Sequence, residues 1–220
     1  MKNVTVVKIL TADDRERALT VVEAVYLHEK QWIRNSGAEI PANLEGRADQ
    51  SWFLVSADGE PAGVIRLVYD PPLELPAEFG VTLEAGVDLD RLKRHGRFVD
   101  IGRFMIVPRH RRNIRVALRL MRAAILEVVS RGYTHFLTDV FEEDPHSPLH
   151  FHTRVLGFER IGTHRHGELA CASARILLIL DIARAYHRLK ERDNKVWKEI
   201  GEGMREMMEG RAAASWRPSA

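Results

Sequence analysis

Residues 98–122, FVDIGRFMIVPRHRRNIRVALRLMR, contain the pattern around which the rest of the chain is organised. The first ten residues are rich in branched and aromatic side chains and predict a β-strand, which Pro108 ends. Apolar residues at Val116, Leu120 and Ala124 then recur at helical spacing. A strand, loop and helix N-terminus in this order can hold a phosphate, because the free N–H groups of the first helical turn point at it.

Arginines are concentrated in this loop and helix. The six are Arg109, Arg111, Arg112, Arg115, Arg119 and Arg122. One interpretation is an anion site, and the other is a solvated basic face on an ordinary helix.

The composition is that of a globular protein. With 220 residues, 45% hydrophobic and 29% charged, the chain can bury one well-formed core. The net charge of +2 conceals an asymmetry, since arginines cluster at 109–122 and carboxylates at 139–144. The single cysteine, Cys171, excludes an internal disulfide and fits a reducing compartment. No targeting segment or run of roughly eighteen apolar residues is visible, so we expect a cytoplasmic protein without an integral membrane segment.

Hydrophobic periodicity and turn signals predict an alternation of strands and helices. The predicted strands are 4–10, 51–56, 62–69, 98–107, 135–140, 158–161 and 174–182, and the predicted helices are 12–31, 89–94, 114–131, 149–156 and 183–209. This order predicts an α/β domain with a mixed central sheet flanked by helices. We expect that domain at 1–182, a C-terminal helix at 183–210 packed on the domain or on a partner, and a disordered tail at 211–220.

The element order, with a strand, a P-x-x-R loop and a helix at its centre, resembles the GNAT acyltransferase superfamily. The segment Val107-Pro108-Arg109-His110-Arg111 carries this resemblance. Residues 100–104, DIGRF, are similar to the acid-x-x-Arg-Phe motif of homoserine lactone autoinducer synthases. Residues 151–162, FHTRVLGFERIG, are similar to a segment of the FeeM-type N-acyl amino acid synthases. Val22 stands where autoinducer synthases have an arginine, which argues against a homoserine lactone product.

The resemblance implies an acyl-phosphopantetheine donor and no tightly bound cofactor. Its binding residues would be Met105, Ile106, Val107, Arg111, Arg112, Asn113, Ile114, Arg115 and Val116. Common acyl-CoA enzymes have glycines near the positions of Ile114 and Val116, which let the backbone approach a pyrophosphate. Their replacement, together with the added arginines, favours acyl carrier protein, which presents one phosphate and an acidic helix to the basic patch. The alternative donor is acyl-CoA, with another amine such as a polyamine, an antibiotic or a protein terminus as acceptor.

The resemblance also implies the acceptor site. Asp100 would be the base or the group that orients the amine, and the alternative is a structural ion pair with Arg66 or Arg103. Arg66 or Arg103 would clamp the carboxylate of an amino acid. Arg103 lies three residues after Asp100, so both face the same side only if a bulge intervenes, and the resemblance implies one because GNAT-superfamily members carry a bulge in this strand.

Further site residues follow from the same resemblance. Tyr26 and Trp32 fall where the family has matching residues, and we expect them to bind substrate. His152 stands where the family usually has a tyrosine that protonates the departing thiolate, and the alternative is a packing histidine. A backbone N–H near 105–106 would stabilise the oxyanion.

Two other classes of site are less well supported by the sequence. A possible metal-binding set consists of His146, His150, His152, His164 and His166, with Asp139, Glu142, Glu143 and Asp144 nearby. His146 and His150 have the spacing of a helical ligand pair, but Pro148 lies between them and no third ligand has motif-like spacing, so we expect no metal site. The arginines could bind nucleic acid, but no recognition motif or aromatic platform accompanies them, and we expect no such partner. The expected acceptor is a small-molecule amine, and an amino acid fits the expectation that the arginines clamp a carboxylate. The sequence predicts no particular oligomeric state.

Overall fold

The computed structural model describes residues 3–74, 77–165, 167, 169–171, 173–201 and 204–209. The strands in this part of the chain are β1 Val4–Lys8, β2 Gln50–Ala57, β3 Glu60–Tyr69, β4 Thr82–Leu83, β5 Phe98–Ile106, β6 His135–Phe141, β7 Glu159–His164 and β8 Arg175–Asp181. The α-helices are α1 Ala12–Val22, α2 Leu89–His95, α3 Ile114–Ser130, α4 Ile182–Arg192 and α5 Lys195–Ile200. Two π-helical segments lie at Glu23–Glu29 and Phe151–Leu156.

The strands form one mixed sheet in the order β1-β2-β3-β5-β6-β8-β7-β4. Every neighbouring pair is antiparallel except β5 and β6, which run parallel because α3 returns the chain between them. The prediction of an α/β domain around a mixed sheet is confirmed. Residues 98–122 supply β5, which lies in the middle of the sheet, and the first half of α3.

The two parallel strands pair over a short distance only. Phe98, Val99 and Asp100 lie opposite His135, Phe136 and Leu137, and the pairing ends there. Beyond this point, the hydroxyl of Thr138 donates to the carbonyl oxygen of Ile101 at 2.8 Å. The later residues of β5 and β6 therefore leave an opening in the middle of the sheet.

The ladder between β3 and β5 contains a β-bulge. Val64 lies opposite Met105 and Arg66 opposite Gly102, so Arg103 and Phe104 together face the single residue between them on β3. Arg103 has φ 53°, a left-handed conformation that costs a non-glycine residue about 1 kcal/mol or more. The bulge expected from the resemblance is confirmed, and it lets Asp100 and Arg103 contribute to the same space.

Apolar packing covers both faces of the sheet. On one face, Val116 and Leu120 of α3 are completely buried in a cluster with Val99, Ile101 and Phe136. On the other face, α1 and the π-helical segment after it pack with β2 and β3 through Val21, Tyr26, Trp52 and Leu54. Burying one such aliphatic side chain stabilises the fold by roughly 1.5–3 kcal/mol, so these two clusters hold β5 between them.

The last helix differs from its prediction, which placed one helix at 183–209. The structure ends α4 at Arg192, where Asp193 has φ 38°, and begins α5 after Asn194. The Asn194 side chain accepts hydrogen bonds from the N–H groups of Val196 (2.9 Å) and Trp197 (3.1 Å). Asp and Asn tolerate left-handed conformations and cap helices well, so this dipeptide ends one helix and starts another.

Smaller differences concern the other elements. The predicted helix 12–31 changes to π-helical geometry after Val22, and the predicted strand 4–10 ends at Lys8. The sequence did not predict β4, which pairs with β7 from within the long segment between β3 and β5. The predicted tail at 211–220 lies outside the described residues.

Candidate active site

A cavity of about 880 Å³ lies beside the opening between β5 and β6. This is within the range of roughly 300–1,000 Å³ typical of small-molecule sites. One part of its wall is polar and comes from β3, β5 and β6. The other part is apolar and comes from the segment between β3 and β5, and it includes Pro72, Leu73, Phe79, Val81, Leu89 and Leu92.

Asp100 and Arg66 lie next to each other on the polar wall. Arg66 Nη2 is 3.7 Å from Asp100 Oδ2, and both side chains remain partly exposed. Gly102 lies opposite Arg66 on β5, and a Cβ atom there would lie 2.7 Å from Arg66 Nη2. The absence of a side chain at Gly102 therefore lets the guanidinium group lie across β5 and reach Asp100.

Arg103 lines the same cavity through a different set of contacts. Its Nε donates to Glu39 Oε2 at 2.8 Å, and its guanidinium carbon lies 5.7 Å from the centre of the Tyr26 ring. Glu39 comes from the long loop between the π-helical segment Glu23–Glu29 and β2.

Tyr26 and Trp32 form an aromatic part of the cavity wall. Their ring centres are 5.4 Å apart, and Trp32 also lies 4.2 Å from Phe141. Burial raises the pKa of Tyr26 to about 12, although the positive charge of Arg103 acts in the opposite direction. The Tyr26 hydroxyl therefore stays protonated at neutral pH and can donate a hydrogen bond.

His152 is fully buried at the cavity wall among aromatic rings. The ring centres of Phe104, Phe151 and Phe158 lie 5.6, 5.8 and 4.9 Å away. No described residue hydrogen-bonds either of its ring nitrogens. Burial lowers the pKa of His152 to about 3, so its imidazole is neutral and offers one N–H donor.

Arg111 connects the loop after β5 to the end of the π-helical segment. Its Nε donates to the carbonyl oxygen of Ile106 at 3.0 Å, and its two terminal nitrogens bind both carboxylate oxygens of Glu29. The hydrogen bond from Arg111 is the main reason why the pKa of Glu29 lies below its usual value. Arg111 thus faces the cavity with an internal carboxylate already bound to it.

Asp139, His164 and Arg175 form a second polar group on the wall. Asp139 Oδ2 accepts hydrogen bonds from His164 Nε2 at 3.0 Å and from Arg175 Nη1 at 3.1 Å. Burial raises the pKa of Asp139, but the hydrogen bond from His164 and the charge of Arg175 outweigh this effect and hold it below its ordinary value. Asp139 is therefore a carboxylate at neutral pH.

Comparison with known proteins identifies the family. Residues 17–180 match the family model of the N-acyl amino acid synthase FeeM. The chain belongs to this family. No curated protein matches it.

Solved structures agree with this FeeM-family assignment at the level of the fold. FeeM, an N-acyl amino acid synthase from uncultured soil microbes, matches with a TM-score of 0.62 and 15% identity, covering 85% of this chain and 95% of that one. An aminoglycoside N(6')acetyltransferase from Legionella pneumophila subsp. pneumophila str. Philadelphia 1 matches with a TM-score of 0.57 and 11% identity, covering 84% and 95%. A GNAT-family acetyltransferase from Streptococcus pneumoniae matches with a TM-score of 0.54 and 14% identity, covering 82% and 99%.

Family and fold together make the chain an N-acyltransferase that works with an acyl donor and an amine acceptor. The resemblance to GNAT enzymes and to FeeM-type synthases is confirmed. The sequence-based residues that line the cavity of this FeeM-family enzyme are Tyr26, Trp32, Arg66, Asp100, Arg103, Met105, Ile106, Arg111, Ile114 and His152.

The remaining donor-site candidates do not line this cavity. Val107 and Val116 are buried in the two apolar clusters. The Asn113 side chain caps α3 by accepting from the Arg115 N–H at 3.3 Å, and the Arg115 side chain pairs with Glu199 of α5 at 3.3 Å. Arg112 is exposed. The basic face of α3 is therefore partly covered by the C-terminal helices of the same chain.

Sequence reasoning missed the partners of several site residues. Glu29, Glu39 and Arg175 were not singled out, and Asp139 and His164 entered only in connection with a possible metal site. Within the described ranges, no three His, Cys, Asp or Glu side chains are grouped so that they could hold a metal ion. His166, which belonged to that set, lies outside those ranges. In the same part of the chain, no helix is long and apolar enough to cross a membrane.

Proposed function

We propose that this FeeM-family enzyme transfers a long-chain acyl group from acyl carrier protein to the α-amine of an amino acid by direct aminolysis of the thioester. The observation that carries the proposal is that one cavity combines the Asp100–Arg66 pair with a largely apolar wall. A polar pair suits an amino acid, and the apolar wall suits an alkyl chain.

Asp100 and Arg66 support binding of the acceptor. A guanidinium group binds a carboxylate through paired hydrogen bonds, which makes Arg66 the group for the acceptor carboxylate. Asp100, beside it, faces the ammonium group and takes one proton from it, directly or through a water molecule.

The transfer step uses groups near the opening between β5 and β6. The amine nitrogen attacks the thioester carbon, the carbonyl oxygen becomes an oxyanion facing backbone N–H groups near 105–106, and the C–S bond then breaks. The nitrogen loses its second proton to the departing thiolate as the amide forms, and the proton that Asp100 took from the ammonium group is released to solvent, so each turnover yields one amide, one thiol and one proton. His152 supports the departing sulfur as a neutral N–H donor, because burial prevents it from carrying an imidazolium proton at neutral pH.

The apolar wall supports a long acyl chain. Pro72, Phe79, Leu89 and Leu92 face Leu137 and Leu177 of the sheet around the cavity. Each buried methylene contributes roughly 0.8 kcal/mol to binding, so a chain that follows this wall gains affinity with length.

The carrier protein as donor rests on the loop after β5. Ile114 and Val116 replace the glycines of the common acyl-CoA enzymes, and Arg109 and Arg112 are exposed beside them. Arg111 and Arg115 pair with Glu29 and Glu199, so they support the proposed docking surface less directly than the exposed arginines do.

The experiment offers purified enzyme palmitoyl-ACP or palmitoyl-CoA together with each of the twenty L-amino acids, and detects N-acyl products by mass spectrometry. We expect at least one N-acyl amino acid and faster turnover with palmitoyl-ACP. Equal rates with both donors would remove the carrier from the proposal, and failure to acylate any amino acid would overturn the acceptor.

Asp100→Asn tests the role of Asp100 in the same assay. We expect turnover to fall by about 100-fold or more, because the variant cannot accept the proton from the amine. The matched control is Asp49→Asn, which removes an exposed carboxylate that pairs only with the nearby Arg47 among the contacts described. Normal turnover of a folded Asp100→Asn variant would contradict the assignment.

A further inference from the structure

We infer that Asp139 is a second carboxylate of the acceptor site, and that its Oδ1 atom accepts a hydrogen bond from the ammonium group of the acceptor. Neither the family match nor the motifs assign this residue. The inference rests on the proposed function, since it requires an acceptor that enters as a cation.

The position of Asp139 in the sheet places it on the same face as Asp100. Leu137 is the residue of β6 directly opposite Asp100, and Asp139 is the next residue of β6 on that face. It therefore stands just beyond the point where β5 and β6 stop pairing, where both carboxylates line the cavity. An amine entering the opening meets Asp100 on one strand and Asp139 on the other.

The hydrogen bonds of Asp139 leave one oxygen directed at the cavity. His164 and Arg175 both donate to Oδ2, and no residue in the described parts of the chain hydrogen-bonds Oδ1. The side chain of Asp139 is 35% exposed, whereas those of His164 and Arg175 are 3% and 7% exposed. The two buried partners fix the carboxylate, and its second oxygen remains available.

The chemistry of this oxygen selects the kind of group it binds. An ionised carboxylate only accepts hydrogen bonds, so its ligand must supply donors, and an ammonium group supplies three. The negative charge of Asp139 also raises the pKa of Tyr26, which places the Tyr26 hydroxyl in the same environment, together with Arg66, Arg103 and Glu39. Arg66 attracts a carboxylate and Asp139 an ammonium group, so the two ends of an amino acid find opposite charges on one wall.

The structural alternative is that Asp139 only neutralises the buried Arg175. Arg175 has other interactions, since its guanidinium carbon lies 4.7 Å from the Phe141 ring centre and Nη2 donates to the Leu169 carbonyl oxygen at 3.3 Å. The experiment must therefore separate recognition of the amine from loss of a buried ion pair.

The matched control is Glu127, a carboxylate outside the cavity that is also held by two cations. Its Oε1 accepts from Lys8 at 2.7 Å and from Arg131 at 2.9 Å. Asp139→Asn and Glu127→Gln each replace a paired carboxylate by the amide of the same shape. Both lower stability if the role is structural, but only Asp139→Asn alters recognition of the amine under our inference.

The test measures kcat and KM for wild type and both variants with palmitoyl-ACP and each L-amino acid that the wild type acylates among the twenty. It also measures inhibition by the 2-hydroxy acid with the same side chain, which lacks the ammonium group. We expect Asp139→Asn to raise the KM for the amino acid about 10- to 100-fold, while the KM for palmitoyl-ACP and the inhibition constant of the hydroxy acid change less than about twofold. If Asp139→Asn does not fold, Asp139→Glu keeps the charge, moves the oxygens, and should raise the same KM selectively.

Two other outcomes would contradict the inference. If Asp139→Asn behaves like Glu127→Gln, or if the constants for amino acid and hydroxy acid rise equally, the inference is overturned while the proposed function stands. If the wild type acylates none of the twenty amino acids, the proposed function fails, and the inference fails with it.

Discussion

His152 combines complete burial with two ring nitrogens that no described residue hydrogen-bonds. A buried polar group without a partner costs roughly 1–3 kcal/mol, so this side chain is expensive for the fold. This free-energy cost is explained if the N–H group donates a hydrogen bond to a ligand in the cavity. The structure thus favours a chemical role for His152 over a packing role, and it restricts that role to the neutral form.

His152→Phe should change how stability depends on pH. The folded-state pKa of about 3 lies below the ordinary value of 6.5, so the unfolded chain binds the proton first, and wild-type stability falls as the pH drops from 6.5 towards 3. The variant lacks this contribution. Urea unfolding gives the free energy of unfolding at each pH. Between pH 7 and pH 5 this free energy should fall by about 2 kcal/mol more for wild type than for the variant.

The control for this prediction is His187→Gln, because His187 is exposed on α4. It should keep the wild-type pH dependence. Turnover of His152→Phe at pH 7 should fall although its stability does not, since phenylalanine offers no N–H group. Identical pH slopes for wild type and His152→Phe would show that His152 is not neutral in the fold.

Gly102→Ala tests the placement of Arg66. The added Cβ atom would lie 2.7 Å from Arg66 Nη2, and the flexible guanidinium group would move aside. We expect the KM for the amino acid to rise about tenfold while the melting temperature changes little, because the conflict involves the end of a side chain. Gly59→Ala is the opposite comparison: Gly59 has φ 86° and lies outside the cavity lining, so alanine there should lower the melting temperature and leave the KM for the amino acid unchanged. An unchanged KM in Gly102→Ala would mean that recognition of the amino acid does not depend on the position of the Arg66 guanidinium group across β5.

At the scale of elements, β5 and α3 were predicted from the sequence, and so was the bulge in β5 by resemblance. The apolar periods of these two elements are strong and local, whereas the motif residues Asp100, Arg66 and Arg103 were taken from the resemblance. The partners Glu39 and Glu29 were missed because they lie 64 and 82 residues away along the chain from Arg103 and Arg111. No periodicity relates such distant segments, and only the folded chain brings them together.

The loop after β5 carries a prediction about the carrier protein. Arg109→Glu with Arg112→Glu should raise the KM for palmitoyl-ACP several-fold, most strongly at low salt, and leave the KM for palmitoyl-CoA less affected. Both arginines are exposed, and Arg109 pairs with the equally exposed Glu60 at 3.6 Å, a surface contact that contributes little to stability, so stability should not change much. Arg184→Glu, at an exposed position on α4, is the control. The same rise for both donors would indicate phosphate binding rather than protein docking.

Arg111 and Arg115 are unsuited to that test. Reversing either charge would place two negative groups together, at Glu29 or at Glu199. The sequence alone marked these two arginines as docking residues, because it does not show which surface of α3 is covered. Helix α5 covers part of it, because Glu199 pairs with Arg115 and Arg119.

For the whole molecule, the sequence predicted the order of the elements along the chain except for β4, but it did not predict the cavity. Its apolar wall comes from a segment with several prolines and a two-residue strand, which has no regular period. Its polar wall depends on where β5 and β6 stop pairing, which is a tertiary property. The sequence therefore predicted the family and the fold, and it predicted the motif residues of the site without their partners.

Leu177→Trp tests whether the volume of the cavity sets the length of the acyl chain that the enzyme prefers. Leu177 lies on β8 at the cavity wall, and a larger side chain there reduces the available volume. In an assay with acyl-ACP donors of graded length, we expect the preferred chain to become shorter by several carbons. Leu10→Trp, at an exposed position outside the cavity lining, is the control. An unchanged preference would place the acyl chain elsewhere.

The short pairing between β5 and β6 has a mechanical consequence. It divides the sheet into two ladders, β1-β2-β3-β5 and β6-β8-β7-β4, each continuous within itself. Three residue pairs join the two ladders, and just beyond them the Thr138 hydroxyl donates a hydrogen bond to the Ile101 carbonyl oxygen. The residues of β5 and β6 beyond these pairs can therefore move apart without breaking the pairing within either ladder. We therefore expect a bulky thioester to enter by widening the sheet at this junction, where few backbone pairs join the two ladders.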